Sequence, residues 1–368
     1  MPVSYTEVTA KSLINSIPHS KFSVLKGLSC RSSMNVAFGC ETFCSFCYIR
    51  FMTRWKGMEP NDIFQRIQIR TNAPELLEKE LRRRPKEWIW VGSTSDPYQD
   101  YEEQYGLMRR CLEVFREYHY PFEIITKSPL VARDADLLGE LQDVGLVSVS
   151  FTSINENKRK GVELRARSTL ERLDALRKLN AAGVRTCALL LPIIPGHTDA
   201  EPELEDLIRK IVAAGTTNLY AGVMRLYPIT WAGMRKAMAP RLAALRNDIE
   251  QRYYETTKEL SAGARVPDRQ YRRALMHRVG EIGKAAGIVS YSCEDNFFDL
   301  WYGLQDDHDI YRYAVHYDFW RERRELRVPA LTLEQAMAVA RRFRHTPAYL
   351  RSIEQNLNLL NRLISVDV

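Results

Sequence analysis

Between residues 34 and 226 the chain alternates strand-length apolar runs with amphipathic stretches, and no other feature limits its fold so tightly. The expected strands are 34–38, 88–92, 122–126, 147–151, 185–191 and 219–226, and the expected helices between them are 74–84, 102–118, 131–143, 170–182 and 201–214. Pro74 and Pro202 suit first helical turns, where a missing N–H costs nothing. Gly145, Gly183 and Gly215 suit the left-handed residue that closes a helix. Repeated strand–helix units predict a parallel sheet with right-handed crossovers, built either as an open doubly wound sheet or as a partial barrel. In both, ligands gather at the C-terminal ends of the strands.

After residue 230 the pattern becomes helical, with helices expected at 235–260, 270–286, 333–343 and 347–363 and an aromatic-rich stretch at 291–320. The chain therefore divides into an N-terminal cap (1–33), a β/α unit (34–230) and a helical C-terminal extension packed on it (231–368). Its most apolar run, 187–195, is far shorter than the ~20 residues a membrane helix needs. The N-terminus has no continuous apolar block, so no signal peptide and no membrane contact are expected. Seven cysteines, four of them within 30–47, do not make the disulfide framework of a small secreted domain. A cytoplasmic, reducing location is expected.

The net charge is +7, which favours anionic partners. Its clusters are Arg82, Arg83, Arg84 and Lys86; Lys158, Arg159, Lys160, Arg165 and Arg167; and Arg321, Arg323, Arg324, Arg341, Arg342 and Arg344. Such runs are usually solvated helix faces, and they support a nucleic-acid partner without establishing one.

The sharpest local signal is Gly39-Cys40-Glu41-Thr42-Phe43-Cys44-Ser45-Phe46-Cys47-Tyr48, directly after the first expected strand. Its C-x3-C-x2-C spacing puts three thiolates in one loop, enough to hold three irons of a [4Fe–4S] cube and leave the fourth open. A metal that does chemistry keeps an open position, and a structural one is closed. The alternatives are structural zinc, with Cys30 completing the ligand set, and ordinary buried thiols. Among the other cysteines, Cys111 and Cys187 read as core, and Cys293 follows an expected strand.

C-x3-C-x-aromatic-C after the first strand is the signature of the radical S-adenosylmethionine (SAM) superfamily, which the chain resembles. Further matches stand at the strand ends: Ser93-Thr94-Ser95-Asp96-Pro97-Tyr98, Ile125-Thr126-Lys127-Ser128, Ser150-Phe151-Thr152-Ser153, Pro192-Ile193-Ile194-Pro195-Gly196 and Arg225-Leu226. Together these resemble the spore photoproduct lyase-like subfamily over roughly residues 30–230. The resemblance implies an α/β fold, a partial (β/α)6 radical SAM barrel with a C-terminal helical extension. It implies a [4Fe–4S] cluster on Cys40, Cys44 and Cys47 whose open iron binds SAM. It also implies reductive cleavage of SAM to methionine and a 5′-deoxyadenosyl radical, and an electron donor such as flavodoxin or ferredoxin.

For SAM, the resemblance places Lys127 on the carboxylate. Ser93, Thr94 and Ser95 stand near the methionine end, where the superfamily usually has a Gly-Gly-Glu motif that is absent here. Ser150 and Thr152 share one strand face and suit the ribose; Phe46 and Tyr48 suit the adenine; Arg225 closes the cofactor-binding set. His197 follows Pro195-Gly196 at a strand end, where a proton relay and a turn residue are equally good readings.

Departures from the lyase pattern bear on the reaction. Ser93 stands where the lyase carries its hydrogen-donating thiol, and a hydroxyl is a poor hydrogen-atom donor. Phe46 replaces the first of the lyase's two tyrosines around the third cluster cysteine, and Tyr48 keeps the second. Tyr48 and Cys293 are the catalytic candidates. The expected substrate is anionic: DNA, RNA or a nucleotide. A peptide- or small-metabolite-modifying radical SAM enzyme is the alternative, and a non-catalytic zinc or Fe–S nucleic-acid-binding protein is the rival of another class.

Overall fold

A computed structural model gives the structure for residues 2–16, 32–84, 86, 88–237, 243–254, 265–293, 322–323, 326–342, 353–354, 357–358 and 360–361. Cys30, most of the aromatic-rich stretch and most of the expected helix 347–363 lie outside these residues, as does the side chain of Cys293.

Among the described residues the main sheet has eight strands. In chain order they are β2 (Ile14–Ser16), β3 (Ser32–Met34), β6 (Ile89–Val91), β7 (Phe122–Thr126), β8 (Gly145–Phe151), β9 (Thr186–Ile193), β10 (Asn218–Val223) and β11 (Ser290–Cys293). From β3 to β11 all pairs are parallel and neighbours in sequence are neighbours in space; only β2 is antiparallel, on the β3 edge. Strand order without a reversal has no switch point. This decides for the barrel type over the doubly wound sheet. Among the described residues the two end strands, β2 and β11, do not pair with each other, as in a partial barrel.

One face of the sheet packs on helices α3 (Leu107–Tyr118), α6 (Thr169–Ala181), α7 (Glu201–Ala213) and α10 (Arg269–Ala286). Ile124, Val147, Val149, Ala188, Leu190, Leu219 and Ala221 meet Leu112, Phe115, Leu176, Ile208, Ile211, Leu275 and Val279 there. Each of the Val, Leu, Ile and Phe side chains among them contributes roughly 1.5–3 kcal/mol by leaving water. The alternate positions form the other face, which includes Trp90, Glu123, Ser148, Ser150 and Cys187. Glu123 accepts hydrogen bonds from Trp90 Nε1 (2.9 Å) and Ser148 Oγ (2.6 Å), and burial pushes its carboxyl up to about 7.

Several expectations are corrected. The first strand, expected at 34–38, is split. β3 ends at Met34, and β4 (Ala37–Phe38) joins a separate sheet of order β1–β5–β4, where β1 is Ser4–Val8 and β5 is Arg66–Arg70. The chain leaves the main sheet at Asn35, whose carbonyl accepts from Arg70 Nη1 and whose side chain turns to residues 93–95. The helix expected at 102–118 breaks into α2 (Glu102–Tyr105) and α3 because Gly106 takes φ +57°. The buried Glu102 carboxylate then caps α3 by accepting from the Leu107 and Met108 N–H groups. The helix expected at 131–143 begins as a 3-10 turn, Pro129–Asp134. Residues 1–33 supply β1 and the edge strand β2, and β11 lies within the mostly helical C-terminal region, where a strand was expected beside Cys293.

Candidate active site

Phe38 leads into the cysteine loop through Gly39, at φ +94°. A Cβ there would lie 2.8 Å from the Arg66 carbonyl oxygen and 2.9 Å from that of Ile63, so the close approach requires glycine. The loop is then stapled to the chain after α5 (Glu156–Val162). Ser45 N donates to the Val162 carbonyl, Leu164 N to that of Phe43 and Arg165 N to that of Thr42. Arg50, wholly buried, donates from Nη1 to the carbonyls of Cys44 (3.1 Å), Ser45 (2.7 Å) and Cys47 (3.2 Å). The sequence reading missed Arg50, although it lies three residues beyond the last cysteine.

Cys40, Cys44 and Cys47 are all free thiols. Burial pushes Cys40 up to about 12, with Asp96 adding to it, and also raises Cys44 and Cys47. Cys44 lies within electrostatic reach of both other cysteines, and Lys127 draws Cys44 and Cys47 toward the thiolate. Metal binding would displace the protons that burial otherwise keeps. Among the described residues no three His, Cys, Asp or Glu side chains gather as they would around a single ion. A [4Fe–4S] cube asks for something else, one sulfur on each of three separate irons. Two buried donors beside the loop, Ser45 Oγ and Arg50 Nη2, have no hydrogen-bond partner among the described residues. The backbone N–H of Asp96 points at Cys40 Sγ, 3.5 Å away. Thiolate and sulfide are acceptors for such donors, so the loop fits the cluster.

The end of β6 is bound to the loop. Ser95 Oγ donates to the Gly39 carbonyl (2.5 Å), and Gln99 Nε2 donates to Ser95 Oγ (2.9 Å). Asn35 Oδ1 accepts from the N–H groups of Thr94 and Ser95, and its Nδ2 donates to Ser93 Oγ (3.1 Å). Tyr48 Oη donates to the Ser93 carbonyl at 2.6 Å, while the residue remains 39% exposed. Tyr48 thus lies against the position that lacks the thiol. Asp96 ties two strand ends together, accepting from Thr126 Oγ1 (2.6 Å) and Lys127 N (2.7 Å).

Lys127 Nζ sits 5.9 Å from the centre of the Phe46 ring, which brings these two candidates together. Ser150 is buried, on the sheet face turned from the helices. The Thr152 hydroxyl donates to Glu163 Oε1, whose other oxygen is 2.5 Å from Arg172 Nη2. Arg225 follows the end of β10 and is half-buried. Cys293 closes β11 in register with Ala221, at the same end of the sheet. His197 Nε2 lies 3.1 Å from the Lys158 carbonyl, and burial holds the ring below its usual 6.5. Asn35, Gln99, Glu163 and Arg172 escaped the sequence reading because their partners are remote in the chain.

Residues 34–208 match the family model of the radical SAM superfamily. The chain carries a radical SAM domain. It is accordingly a radical SAM enzyme, and the cofactors of that superfamily are a [4Fe–4S] cluster and SAM. Among curated proteins, an uncharacterized protein of Mycobacterium tuberculosis is 28% identical over 285 residues, covering 76% of this chain and 80% of its own. One of Methanocaldococcus jannaschii is 29% identical over 201 residues, covering 54% and 71%. Spore photoproduct lyase with bound AdoMet and dinucleoside spore photoproduct shares the fold, with TM-score 0.60 at 16% identity over 78% of this chain and 81% of that one. Another lyase structure, complexed with dinucleoside spore photoproduct, gives 0.59 at 17% over the same shares.

The basic clusters are largely engaged within the fold. Arg82 pairs with Glu78, Arg84 with Ser32 Oγ and Lys86 with the His119 carbonyl. Lys158 pairs with Glu203, Arg159 with Glu156, Arg165 with the Phe64 carbonyl and Arg167 with Asp100. Arg82, Lys158, Arg159 and Arg167 are thus paired with carboxylates, whereas Arg84, Lys86 and Arg165 keep their charge on hydroxyl and carbonyl partners. Among the described residues no helix is long and apolar enough to cross a membrane.

Proposed function

We propose that this radical SAM enzyme cleaves SAM reductively on a cluster held by Cys40, Cys44 and Cys47 and abstracts hydrogen from an anionic substrate that is not a thymine dimer. The observation that carries the reading is the stapled three-cysteine loop at the C-terminal end of a parallel barrel, with Lys127 beside it. When bound, the cluster supplies one electron, from a donor such as flavodoxin or ferredoxin, that cleaves SAM to methionine and a 5′-deoxyadenosyl radical. Lys127 holds the SAM carboxylate as a point charge. Phe46 offers its ring to the adenine, and Ser93, Thr94 and Ser150 offer hydroxyls to the methionine and ribose ends. Tyr48, hydrogen-bonded to Ser93, is the redox-active side chain best placed to return a hydrogen atom to a product radical. Oxygen-sensitive thiols fit a reducing cytoplasm. After anaerobic reconstitution, dithionite and SAM are expected to give 5′-deoxyadenosine; a fully loaded protein that yields none would refute the reading.

Lys127→Ala is expected to weaken SAM binding ten- to a hundredfold, since a charge-assisted contact is worth about 1.5–3 kcal/mol. Equilibrium binding to the reconstituted protein measures this, and an unchanged affinity removes Lys127 from the site.

The two lyase structures compared above hold a dinucleoside spore photoproduct. For this chain the missing thiol at Ser93 argues against the same repair. UV-irradiated DNA incubated with the reduced enzyme and SAM is expected to release no thymine above a SAM-free blank. The pairing of the basic clusters favours a compact anion, such as a nucleotide or small metabolite, over a long nucleic acid. DNA affinity measured at two salt concentrations separates them, because a polyanion bound through phosphates is lost steeply as salt rises.

A further inference from the structure

We propose that Arg50 is the positioning residue of the cluster loop, gathering its carbonyls and setting a fixed positive charge beside the thiolates, and that helix α8 (Pro228–Ala237) locks it there. The inference rests on the cluster reading above and adds a determinant outside the cysteine motif. Arg50 is 0% exposed, and its Nη1 serves three loop carbonyls while Nε donates to Asn61 Oδ1 (3.3 Å). Two of those carbonyls belong to cluster cysteines, so the guanidinium sets the spacing of Cys44 and Cys47 directly. Its carbon lies 4.5 Å from the centre of the Phe64 ring and 6.0 Å from that of Phe43, and these two rings stack on each other. Among the described residues it has no carboxylate partner; the charges it feels are those of Cys47 and Cys44.

A buried cation without an acid is costly, and fixed aromatic rings and carbonyls offset only part of that cost. Three thiolates and a cube carry net negative charge, and one added electron increases it. A nearby fixed cation therefore favours the reduced form and raises the midpoint potential. The contact with α8 is close. A Cβ at Gly233 would lie 2.4 Å from Arg50 Nε, and Thr230 Oγ1 donates to the Cys47 carbonyl (3.4 Å). Because Arg50 is pinned by its three carbonyls, it cannot step aside from an added methyl without leaving the loop.

The test reconstitutes wild type, Arg50→Met, Arg50→Gln, Arg50→Lys and Gly233→Ala anaerobically, counts iron per chain and follows a dithionite titration by EPR. Both neutral variants are expected to take up less iron, and their remaining clusters to reduce at a more negative potential. Arg50→Lys, which keeps the charge but not the planar fork, is expected to titrate near wild type while still losing iron. Gly233→Ala is expected to shift in the same direction as the neutral variants. A wild-type potential in loaded Arg50→Met or Arg50→Gln overturns the proposal, as does a lysine variant shifted as far as they are. If circular dichroism shows that the neutral variants do not fold, Gly233→Ala decides, and an unshifted potential there overturns it. Failure of the cluster reading looks different: wild type itself would then take up no iron.

Discussion

Alanine at Cys40, Cys44 or Cys47 is expected to abolish iron uptake, whereas Cys111→Ala and Cys187→Ala should load like wild type. The separation follows from placement. The first three lie in one loop, within electrostatic reach of one another and beside buried donors that no group among the described residues satisfies. Cys111 sits in α3 inside the hydrophobic core, and Cys187 is buried within β9 with its thiol on the Ala188 carbonyl. Each missing thiolate removes one of three protein anchors from a cluster held by cysteine alone, and the remaining two leave two irons open. Colorimetric iron and sulfide after anaerobic reconstitution measure the effect. Full iron in Cys44→Ala would refute the assignment, and loss of iron in Cys111→Ala without loss of folding would widen the ligand set.

Arg172→Met is expected to destabilise the protein by about 3 kcal/mol, because it strips the buried Glu163 carboxylate of its hydrogen-bonded cation and leaves only Arg159, 4.0 Å away. Both side chains are 0% exposed and meet at 2.5 Å; Arg172 also donates to the carbonyls of Ser150 and Arg167. Burial alone would push Glu163 up, but Arg172, Lys127 and the hydrogen bonds from Arg172 and Thr152 outweigh it and hold the carboxyl below its usual 4.5. A depressed folded value means that the stabilisation is fully present above the unfolded value and is lost as pH falls through the folded one. The gap between wild type and variant should therefore be widest near neutral pH and narrow in acid, where the stranded carboxyl takes a proton. Thermal melts of the apo proteins across that range measure it, and equal melting temperatures at neutral pH would contradict the account. Glu163 also bridges to Cys44 through the backbone, so the same variant is expected to load iron poorly.

The sequence by itself determined the elements whose causes are local. Strand 122–126 was expected where it lies, and 147–151 differs from Gly145–Phe151 only at its start. Both are apolar runs whose burial on a sheet follows from composition alone. Spacing and the position after the first strand sufficed for the three cysteines, since neighbours in a short loop are neighbours in space. The resemblance carried by the strand-end residues chose the barrel before the strand order did.

Tertiary structure decided whatever depends on partners far apart in the chain. Asn35 ends the first strand because its side chain is claimed by residues 93–95. The Thr152 hydroxyl is held by Glu163, and Lys158 and Arg167 are held by Glu203 and Asp100, acids remote from them in the chain. Arg50 reads in sequence as one more surface arginine. Its burial against Phe64, Phe43 and Gly233, the last 183 positions away, exists only once α8 has closed over the loop. Periodicity records which residues leave water. It carries no record of which polar group each buried polar atom will meet, because that pairing is set by the path of the chain through space.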